Sequence, residues 1–263
     1  MFQDKLLGRK GRILILAYDH GLEHGPTDFN LCSVDPDFVF DLAVKAKVSG
    51  VAVLPGVAEE YGKKYNFYVP LIVKLNAKSS LPQGEPYSSQ FCSVKRAILL
   101  GASAVGYTIY LGSQNEASMF KEFGNIVEEA HSRHIPVIAW VYPRGKNVKD
   151  ELSTDVLAYA ARTALELGAD IVKLKYNGDV EGFKWVVKNA GMTDVVVAGG
   201  EKQQDNLSFL KMVKDTLDAG AKGIAVGRNV WQSENPLGML QALNKLIFHD
   251  VPPEKALSYI HSV

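Results

Sequence analysis

The order of hydrophobic and polar positions along the chain predicts alternating strands and helices. Short apolar runs rich in β-branched residues are separated by longer segments in which apolar residues recur at three- and four-residue steps. This alternation is typical of parallel strands joined by crossover helices. The predicted strands are Ile13 to Ala17, Val51 to Leu54, Leu71 to Lys74, Ala104 to Thr108, Val137 to Trp140, Ile171 to Lys175, Val195 to Ala198 and Gly223 to Val226.

One segment, between the fifth and sixth predicted strands, shows the helical pattern clearly. Ser153 or Thr154 can cap its start. Its apolar face is predicted to comprise Val156, Tyr159, Ala160, Thr163, Ala164 and Leu167.

Glycine ends a predicted helix shortly before a strand at four places. These are Gly50, Gly101, Gly168 and Gly220, which precede the second, fourth, sixth and eighth strands. Glycine adopts the left-handed conformation after a helix without a Cβ penalty. The even spacing favours an α/β fold of the (β/α)8 barrel type, although a doubly wound open sheet carries the same turns and stays open as an alternative. No Gly-, Ser- or Pro-rich linker divides the chain, so we expect a single barrel domain over residues 1–263.

Composition agrees with a packed globular protein of this class. The chain has 263 residues, 47% of them hydrophobic, which is the usual size of one barrel and predicts a large core. Its 29 basic and 29 acidic residues balance, and no dense Lys/Arg cluster could follow a phosphodiester backbone. We therefore expect no nucleic-acid partner.

The two cysteines, Cys32 and Cys92, are too few for a disulfide framework and belong to no zinc pattern. This usage indicates a reducing compartment. No apolar run approaches the roughly 20 residues that span a bilayer, and none resembles a signal-peptide core. The prediction is a cytoplasmic protein with no membrane partner.

In a barrel, the active site lies where strands end and βα loops begin. Lys173 and Lys175 are two apart in the sixth strand, so both side chains are predicted to face the interior. One interpretation is structural: both lysines extend towards water or pair with carboxylates. The other is functional, because a buried ammonium near a second cation has a lowered pKa, and the neutral amine can attack a carbonyl to form a Schiff base.

The first strand runs into Asp19, His20, Glu23 and His24. A metal site is one interpretation of this set. Gly21, Gly25 and Pro26 in the same segment argue against the helical i, i+4 face that a metalloprotease-type zinc site needs. We therefore expect no metal, and interpret Asp19 as a hydrogen-bond partner and the histidines as hydroxyl or phosphate ligands. Histidines that are merely satisfied within a loop remain possible.

Two further strand ends carry candidate chemistry. Ala198-Gly199-Gly200 and Gly227-Arg228-Asn229 suit a phosphate, because glycine lets backbone N–H groups approach and arginine offers a forked cation. Ordinary tight turns are the alternative for each pair. Trp140 and Tyr142 are predicted to share a face with Arg144 just beyond, and a phenol at a strand end can exchange a proton with a substrate.

Long motifs in this chain resemble those of the archaeal-type (DhnA-type) class I fructose-1,6-bisphosphate aldolases. The matching stretches cover nearly the whole chain and are LAYDHGLEHGP (16–26), KLNAKS (74–79), LGASAVGYTIY (100–110), YPRG (142–145), AYAARTALELGAD (158–170), VKLKYNGD (172–179) and GIAVGRNVWQ (223–232). The resemblance implies a (β/α)8 barrel that cleaves a sugar bisphosphate through a Schiff base without a metal or other cofactor. It also implies a large homo-oligomer.

The resemblance also implies roles for individual residues. Lys173 would form the Schiff base, and Tyr142 would be the general acid/base, supported by Asp19 and Trp140. The implied phosphate contacts, together with the remaining predicted substrate ligands, are His20, His24, Arg144, Lys175, Gly199, Gly200, Gly227 and Arg228. His24 and Arg144 are candidates for the end of the substrate opposite the glycine pairs. Ala198 departs from the family, which usually has a small hydroxyl residue there.

Two alternative functions stay open from the sequence. A related synthase, the 2-amino-3,7-dideoxy-D-threo-hept-6-ulosonate synthase of the archaeal aromatic pathway, shares the lysine and much of the barrel. The Glu23-His24 pair and the YPRG motif favour the aldolase over it. The second alternative is a non-catalytic barrel that binds a sugar phosphate as a sensor. Such a sensor would keep the Gly227/Arg228 anion site but would not need Lys173.

Overall fold

The protein is a closed barrel of parallel strands surrounded by helices. The structure, a computed structural model, describes residues 11–203 and 205–261. Each strand pairs with the next along the chain, and the first pairs with the last. The predicted (β/α)8 barrel is therefore confirmed and the open sheet is excluded. The strands are β1 (Ile13–Ala17), β2 (Gly50–Val53), β3 (Leu71–Lys74), β4 (Ala102–Leu111), β5 (Val137–Pro143), β6 (Ile171–Leu174), β7 (Asp194–Ala198) and β8 (Gly223–Val226).

Helices follow the strands and cover the outside of the barrel. The short ones are His20–His24, Pro26–Asp28 (a 3₁₀ turn), Val94–Leu99 and Arg228–Trp231, with Pro55–Val57, Ala58–Gly62 and Lys63–Tyr65 forming one continuous helical segment. The longer ones are Pro36–Ala46, Glu116–Ser132, Thr154–Glu166, Val180–Asn189, Asn206–Asp218, Pro236–His249 and Pro253–His261. None of the helices in the described ranges is long and apolar enough to cross a membrane.

The strand boundaries differ from the predicted ones mainly at the carboxyl ends. β4 and β5 extend further than expected, to Leu111 and Pro143, because Ile109, Tyr110 and Tyr142 are also good strand formers. β6 ends at Leu174, so Lys175 lies just beyond the strand. These longer strands carry Tyr110 and Tyr142 up to the level of the loops.

Alternate strand residues fill the barrel interior. They form a compact cluster of ten buried side chains at most 2% exposed: Ile13, Ile15, Ala52, Ile72, Ala104, Ile138, Trp140, Ile171, Val196 and Ala225. The other face of each strand packs against the helices in a larger core. This alternation is the period-two pattern expected of barrel strands. The interior is therefore a packed plug with room for a cavity only at its carboxyl end.

Three of the four glycine turns are confirmed. Gly101, Gly168 and Gly220 have φ of 88°, 87° and 102°. The prediction for Gly50 is wrong, because Gly50 belongs to β2 itself. The left-handed residue is Lys47, with φ of 53°, directly after the helix Pro36–Ala46.

The helix predicted between β5 and β6 is confirmed at Thr154–Glu166. The Ser153 hydroxyl caps it by accepting from Val156 N–H. The buried face follows Leu157, Ala160 and Ala164, whereas Tyr159 is 66% exposed. Tyr159 was therefore wrongly assigned to the apolar face. The single domain over 1–263 stays a prediction, since residues 1–10, 204, 262 and 263 lie outside the described part of the chain.

Candidate active site

A cavity of about 500 Å³ opens at the carboxyl end of the barrel. Nearly all the residues that the sequence singled out line it: Asp19, His20, His24, Tyr142, Arg144, Lys173, Lys175, Gly199, Gly200, Gly227 and Arg228. Trp140 lies two residues before Tyr142 on the same strand face, in the barrel interior. The sequence thus located the cavity and its principal side chains.

The register between neighbouring strands determines how far along the barrel axis each interior side chain lies. Trp140 on β5 pairs with Lys173 on β6, and Lys74 on β3 pairs with Gly106 on β4. A Cβ on Gly106 would lie 2.1 Å from the Trp140 ring, so the ring occupies space that only glycine leaves free. Glycine at 106 therefore allows the indole to lie across the barrel at the level of the two lysines.

Lys74 and Lys173 approach the same indole. Their Nζ atoms lie 5.9 and 5.6 Å from the centroid of the Trp140 ring, within the range of a cation–π contact. Both side chains are buried, at 1% and 6% exposure. A buried ammonium without a partner costs free energy, so a buried lysine must either have a carboxylate partner or have a lowered pKa.

Lys74 has the carboxylate partners. Its Nζ donates to Asp19 Oδ2 at 3.0 Å and to Glu23 Oε1. Burial alone would lower the pKa of Lys74, but the charges of Asp19 and Glu23 outweigh it and raise that pKa above its usual range. Burial alone would likewise raise the pKa of Asp19, but Lys74, His20 and Lys173 together hold it below its usual range. Lys74 and Asp19 therefore form a charged pair at neutral pH.

Lys173 has a different environment. Among the described residues it forms no ion pair within 4.0 Å. Burial lowers the pKa of Lys173, and the charge of Lys74 lowers it further, while Asp19 and Glu23 oppose the shift. The neutral amine is thus more accessible at Lys173 than in an ordinary lysine, which is what a carbonyl nucleophile requires.

Lys175 differs from Lys173 although strand alternation places both on one side. It is 30% exposed and donates to Glu151 Oε1 at 2.5 Å. Arg144, 51% exposed, lies 3.8 Å from the other oxygen of Glu151. Lys175 therefore extends towards water and pairs with a carboxylate, whereas the environment of Lys173 suits Schiff-base formation.

Tyr142 pairs with Tyr110 across β4 and β5, and both rings line the cavity. Burial raises the pKa of Tyr110 to about 12. Burial also raises the pKa of Tyr142 above its usual range, while the charge of Lys74 opposes this shift. Tyr142 is therefore a neutral phenol at pH 7, and nearby Lys74 favours its transient ionisation.

The segment after β1 corrects one sequence argument. We expected Gly21 and Gly25 to keep it from being helical, but His20–His24 forms a helical turn, so the two histidines lie i, i+4 with ring centroids 5.4 Å apart. Gly21 tolerates the helical conformation, and the turn stops at Gly25, whose φ is 80°. Within the described residues no three His, Cys, Asp or Glu side chains come together as metal ligands.

His20 and His24 have separate surroundings. Burial lowers the pKa of His20 to about 4, opposed by Asp19, so the ring is neutral at pH 7. Its Nδ1 is buried and has no hydrogen-bond partner among the described residues. His24 Nδ1 lies 2.7 Å from Asp28 Oδ2, and Arg228 Nη1 lies 3.7 Å from the same oxygen. His24 and Arg228 thus share Asp28, whereas Arg144 contacts a different carboxylate, Glu151.

The loops after β7 and β8 are held together by one amide. Asn229 Nδ2 donates to Gly199 O and Glu201 O at 2.8 Å, and its Oδ1 accepts from Gln203 N–H at 2.7 Å. Gly200 has φ of 70°, and Arg228 Nε is buried without a hydrogen-bond partner in the described part of the chain. Ala198 lines the cavity with no hydroxyl to offer. Backbone N–H groups and an unused guanidinium nitrogen suit an anion here.

Sequence reasoning gave no role in the site to Lys74, and considered Glu23 only in a possible metal set and as a motif residue. The available signal for Lys74 was the same one that singled out Lys173, a lysine ending an apolar strand. Glu23 was noted beside His24, but its partner lies 51 residues away in sequence.

Taken together, a barrel with a buried lysine of lowered pKa, below a rim that suits an anion, is the arrangement expected of a Schiff-base aldolase. The chain belongs to the DeoC/LacD family of aldolases, whose family model matches residues 13–233. It is 50% identical over 246 residues to the class 1 fructose-bisphosphate aldolase of Thermoproteus tenax, covering 93% of this chain and 92% of that protein. It is 46% identical over 261 residues to the corresponding protein of Halobacterium salinarum, covering 98% and 99%.

Solved structures agree with these relatives. One is an archaeal fructose-1,6-bisphosphate aldolase with its catalytic lysine covalently bound to the carbinolamine intermediate of the substrate, with TM-score 0.90 and 48% identity over 94% of this chain and 100% of that chain. Another is the fructose-bisphosphate aldolase of Slackia heliotrinireducens, with TM-score 0.92 and 31% identity over 99% and 88%. The resemblance found in the sequence motifs is confirmed.

Proposed function

We propose that this chain is a class I fructose-bisphosphate aldolase that reversibly cleaves fructose 1,6-bisphosphate to dihydroxyacetone phosphate and glyceraldehyde 3-phosphate. The observation that carries the proposal is Lys173, a buried lysine with a lowered pKa at the base of a cavity whose rim suits phosphate. A role in glycolysis and gluconeogenesis follows from that reaction. The close relatives described above carry the same activity in their names.

The first chemical step is formation of the Schiff base at Lys173. The neutral Nζ attacks the C2 carbonyl carbon of the open-chain sugar, which gives a carbinolamine. Loss of water then leaves a protonated imine, the iminium. Lys74 and Asp19 support this step because the Lys74 charge lowers the Lys173 pKa and the Asp19 carboxylate stabilises the positive iminium that replaces it.

Carbon–carbon cleavage uses Tyr142. For this step Tyr142 first loses its proton to water, and the charge of Lys74 favours the phenolate. The C3–C4 bonding pair then moves into the iminium and forms an enamine, while the C4 hydroxyl gives its proton to the Tyr142 phenolate and becomes the aldehyde. In the reverse direction the neutral phenol donates that proton. The raised Tyr142 pKa favours the donating form, and the charge of Lys74 assists the accepting form.

The rest of the cavity holds the substrate. Gly199 N–H already donates to Ala225 O at 3.0 Å, so Gly199 contributes the turn rather than a donor. Backbone groups of Gly200 and Gly227 with Arg228 bind one phosphate, and Arg144 with Lys175 bind the other. His20 lines the cavity, and its buried Nδ1, without a hydrogen-bond partner among the described residues, is available to a sugar hydroxyl. Trp140 does not line the cavity and lies in the barrel interior, two residues before Tyr142 on the same strand. His24, which shares Asp28 with Arg228, belongs to the first phosphate end.

Several features of the protein in the cell remain part of the proposal. We place it in the cytoplasm, as one domain that assembles into a homo-oligomer and needs no metal, because the iminium provides the electron sink that a Lewis acid would otherwise supply. The free thiols of Cys32 and Cys92 agree with a reducing compartment.

The experiment that tests the function is borohydride trapping. Dihydroxyacetone phosphate and borohydride should fix a stable secondary amine on the chain, and fragment spectra should place it on Lys173. Lys173→Met should abolish trapping, whereas Lys175→Met, the matched control two residues away, should retain it. An adduct on Lys175, or trapping that survives Lys173→Met, would contradict the assignment.

A further inference from the structure

Two cations at the cavity rim share one carboxylate. Lys175 Nζ donates to Glu151 Oε1 at 2.5 Å, and Arg144 Nη2 lies 3.8 Å from Glu151 Oε2. Lys175 and Arg144 both line the cavity. Glu151 thus presents its two oxygens to the two cations, as two oxygens of a phosphate would.

The opposite rim also has a carboxylate, but there one oxygen lies near both partners. Asp28 Oδ2 lies 2.7 Å from His24 Nδ1 and 3.7 Å from Arg228 Nη1. Each end of the cavity that suits a phosphate therefore has a carboxylate of the chain among its donor side chains. This indicates that both carboxylates influence how the cavity binds a phosphate.

We propose that Glu151 is a specificity-determining residue that occupies the cations of the second phosphate site and is displaced when that phosphate binds. The inference rests on the proposed function, because it takes the substrate to be a sugar bisphosphate. The phosphate concerned is the one bound by Arg144 and Lys175, away from the glycine loops. The proposal takes it to be the 6-phosphate, with the 1-phosphate at the glycine loops.

Charge and exposure favour displacement over a role in holding the cations in place. A phosphate carries about −1.5 to −2 charges at neutral pH, so a retained carboxylate would face it as a second anion. Glu151 is 38% exposed and its two partners are 30% and 51% exposed. Ion pairs with this exposure contribute little, so Glu151 can turn into water at small cost.

Displacement has a consequence for substrate choice. A sugar bisphosphate must expel Glu151, whereas a sugar 1-phosphate leaves the Glu151 contacts intact. Glu151 therefore moderates the preference for the bisphosphate and, after cleavage, competes for the cations that hold the phosphorylated aldehyde.

The test is the binding of carbonyl-free analogues to Glu151→Gln. A hexitol 1,6-bisphosphate cannot form an iminium, so its inhibition constant reports binding alone. We expect this constant to fall roughly two- to fivefold at low ionic strength, the scale of an exposed ion pair, and the difference to vanish at high salt. The hexitol 1-phosphate should show no such change, and Glu151→Ala should act in the same direction as Glu151→Gln.

Asp155→Asn is the matched control, because it removes one exposed carboxylate from the first turn of the helix Thr154–Glu166, four residues after Glu151. It should leave the inhibition constant unchanged. An unchanged constant in both Glu151 variants would overturn the inference, and a raised constant would show that Glu151 holds Arg144 and Lys175 in place. Failure of the proposed function appears separately, as absence of cleavage by the unmodified protein.

Discussion

Lys74→Met tests whether the buried charge network supports both the fold and the chemistry. Methionine keeps most of the side-chain volume but removes the cation between Asp19 and Glu23. Lys74 and Asp19 are only 1% and 5% exposed, so the carboxylate of Asp19 would stay buried with weaker compensation. Glu23, whose side chain is 20% exposed, can turn towards water.

The expected loss of stability follows from this geometry. Removing one partner of a buried ion pair destabilises a protein by ~3–5 kcal/mol. We expect about 3 kcal/mol, the lower end, because removal of the Lys74 charge raises the pKa of Lys173, whose ammonium then attracts Asp19. For a chain of this size that corresponds to a fall in Tm of roughly 6–12 °C, measurable by calorimetry.

The pH dependence of this loss has a defined sign. The folded-state pKa of Asp19 is lowered from its ordinary value of 3.8. Its interactions therefore stabilise the fold fully above that ordinary value and are lost as the pH falls through the folded pKa. The difference in stability between the native protein and Lys74→Met should be constant near neutral pH and should narrow below about pH 4.

The same substitution should change the pH profile of the reaction. The Lys74 charge lowers the pKa of Lys173 and of Tyr142. Its removal raises both, so kcat/KM should fall at neutral pH and recover towards alkaline pH. If Lys74 had a purely structural role, Lys74→Met would lower stability without shifting the pH dependence of kcat/KM.

Two further variants keep the test decisive. Lys95→Met replaces an exposed lysine and should change neither Tm nor the profile. Lys74→Met combined with Asp19→Asn removes both charges and should recover part of the lost stability, since no buried anion is left unpaired. If Lys74→Met lies within about 2 °C of Lys95→Met, the network contributes less than about 1 kcal/mol and the reasoning is refuted.

The remaining predictions concern the proton donor, the electron sink and the barrel interior. Tyr142→Phe should lower kcat for cleavage by ~10²–10⁴-fold while the borohydride-trapped adduct still forms, and a change of only a few-fold would remove Tyr142 from the proton transfer. Activity should survive EDTA because the iminium accepts the electrons; loss that zinc restores would contradict this. Gly106→Ala places a Cβ 2.1 Å from the Trp140 ring, so urea unfolding should show a loss of about 1–3 kcal/mol from overpacking, with Gly124→Ala at an open helical position as the control.

The fold was predictable because strands and turns are encoded locally. Each predicted run is one apolar stretch that corresponds to a strand, and the left-handed glycines at 101, 168 and 220 follow from the absence of a side chain. The prediction for Gly50 was wrong because the left-handed residue after the helix Pro36–Ala46 is Lys47, and a lysine rarely takes this conformation. Local patterns cannot show that a non-glycine residue accepts this conformation.

The site was predictable only in part, because its electrostatics depend on contacts between distant segments. The sequence placed Lys173 and Lys175 on one side of β6 but could not rank them. The ranking comes from Glu151, 24 residues before Lys175, which pairs with the outer lysine. Likewise, no pattern near Lys74 shows that Asp19, 55 residues earlier, turns towards it.

The distribution of carboxylates distinguishes the two interior lysines and favours Lys173 as the proposed nucleophile. Lys74 and Lys173 are both buried and both face the Trp140 ring, so burial alone would lower the pKa of each. Asp19 and Glu23 accept from Lys74 and hold it charged, and the charge of Lys74 helps to lower the pKa of Lys173. The pKa values of the two lysines thus shift in opposite directions in one low-dielectric site: that of Lys74 is raised and that of Lys173 is lowered. A lysine with its own carboxylate partner would be a poor nucleophile, so the absence of an ion pair at Lys173 among the described residues is what equips it for Schiff-base formation.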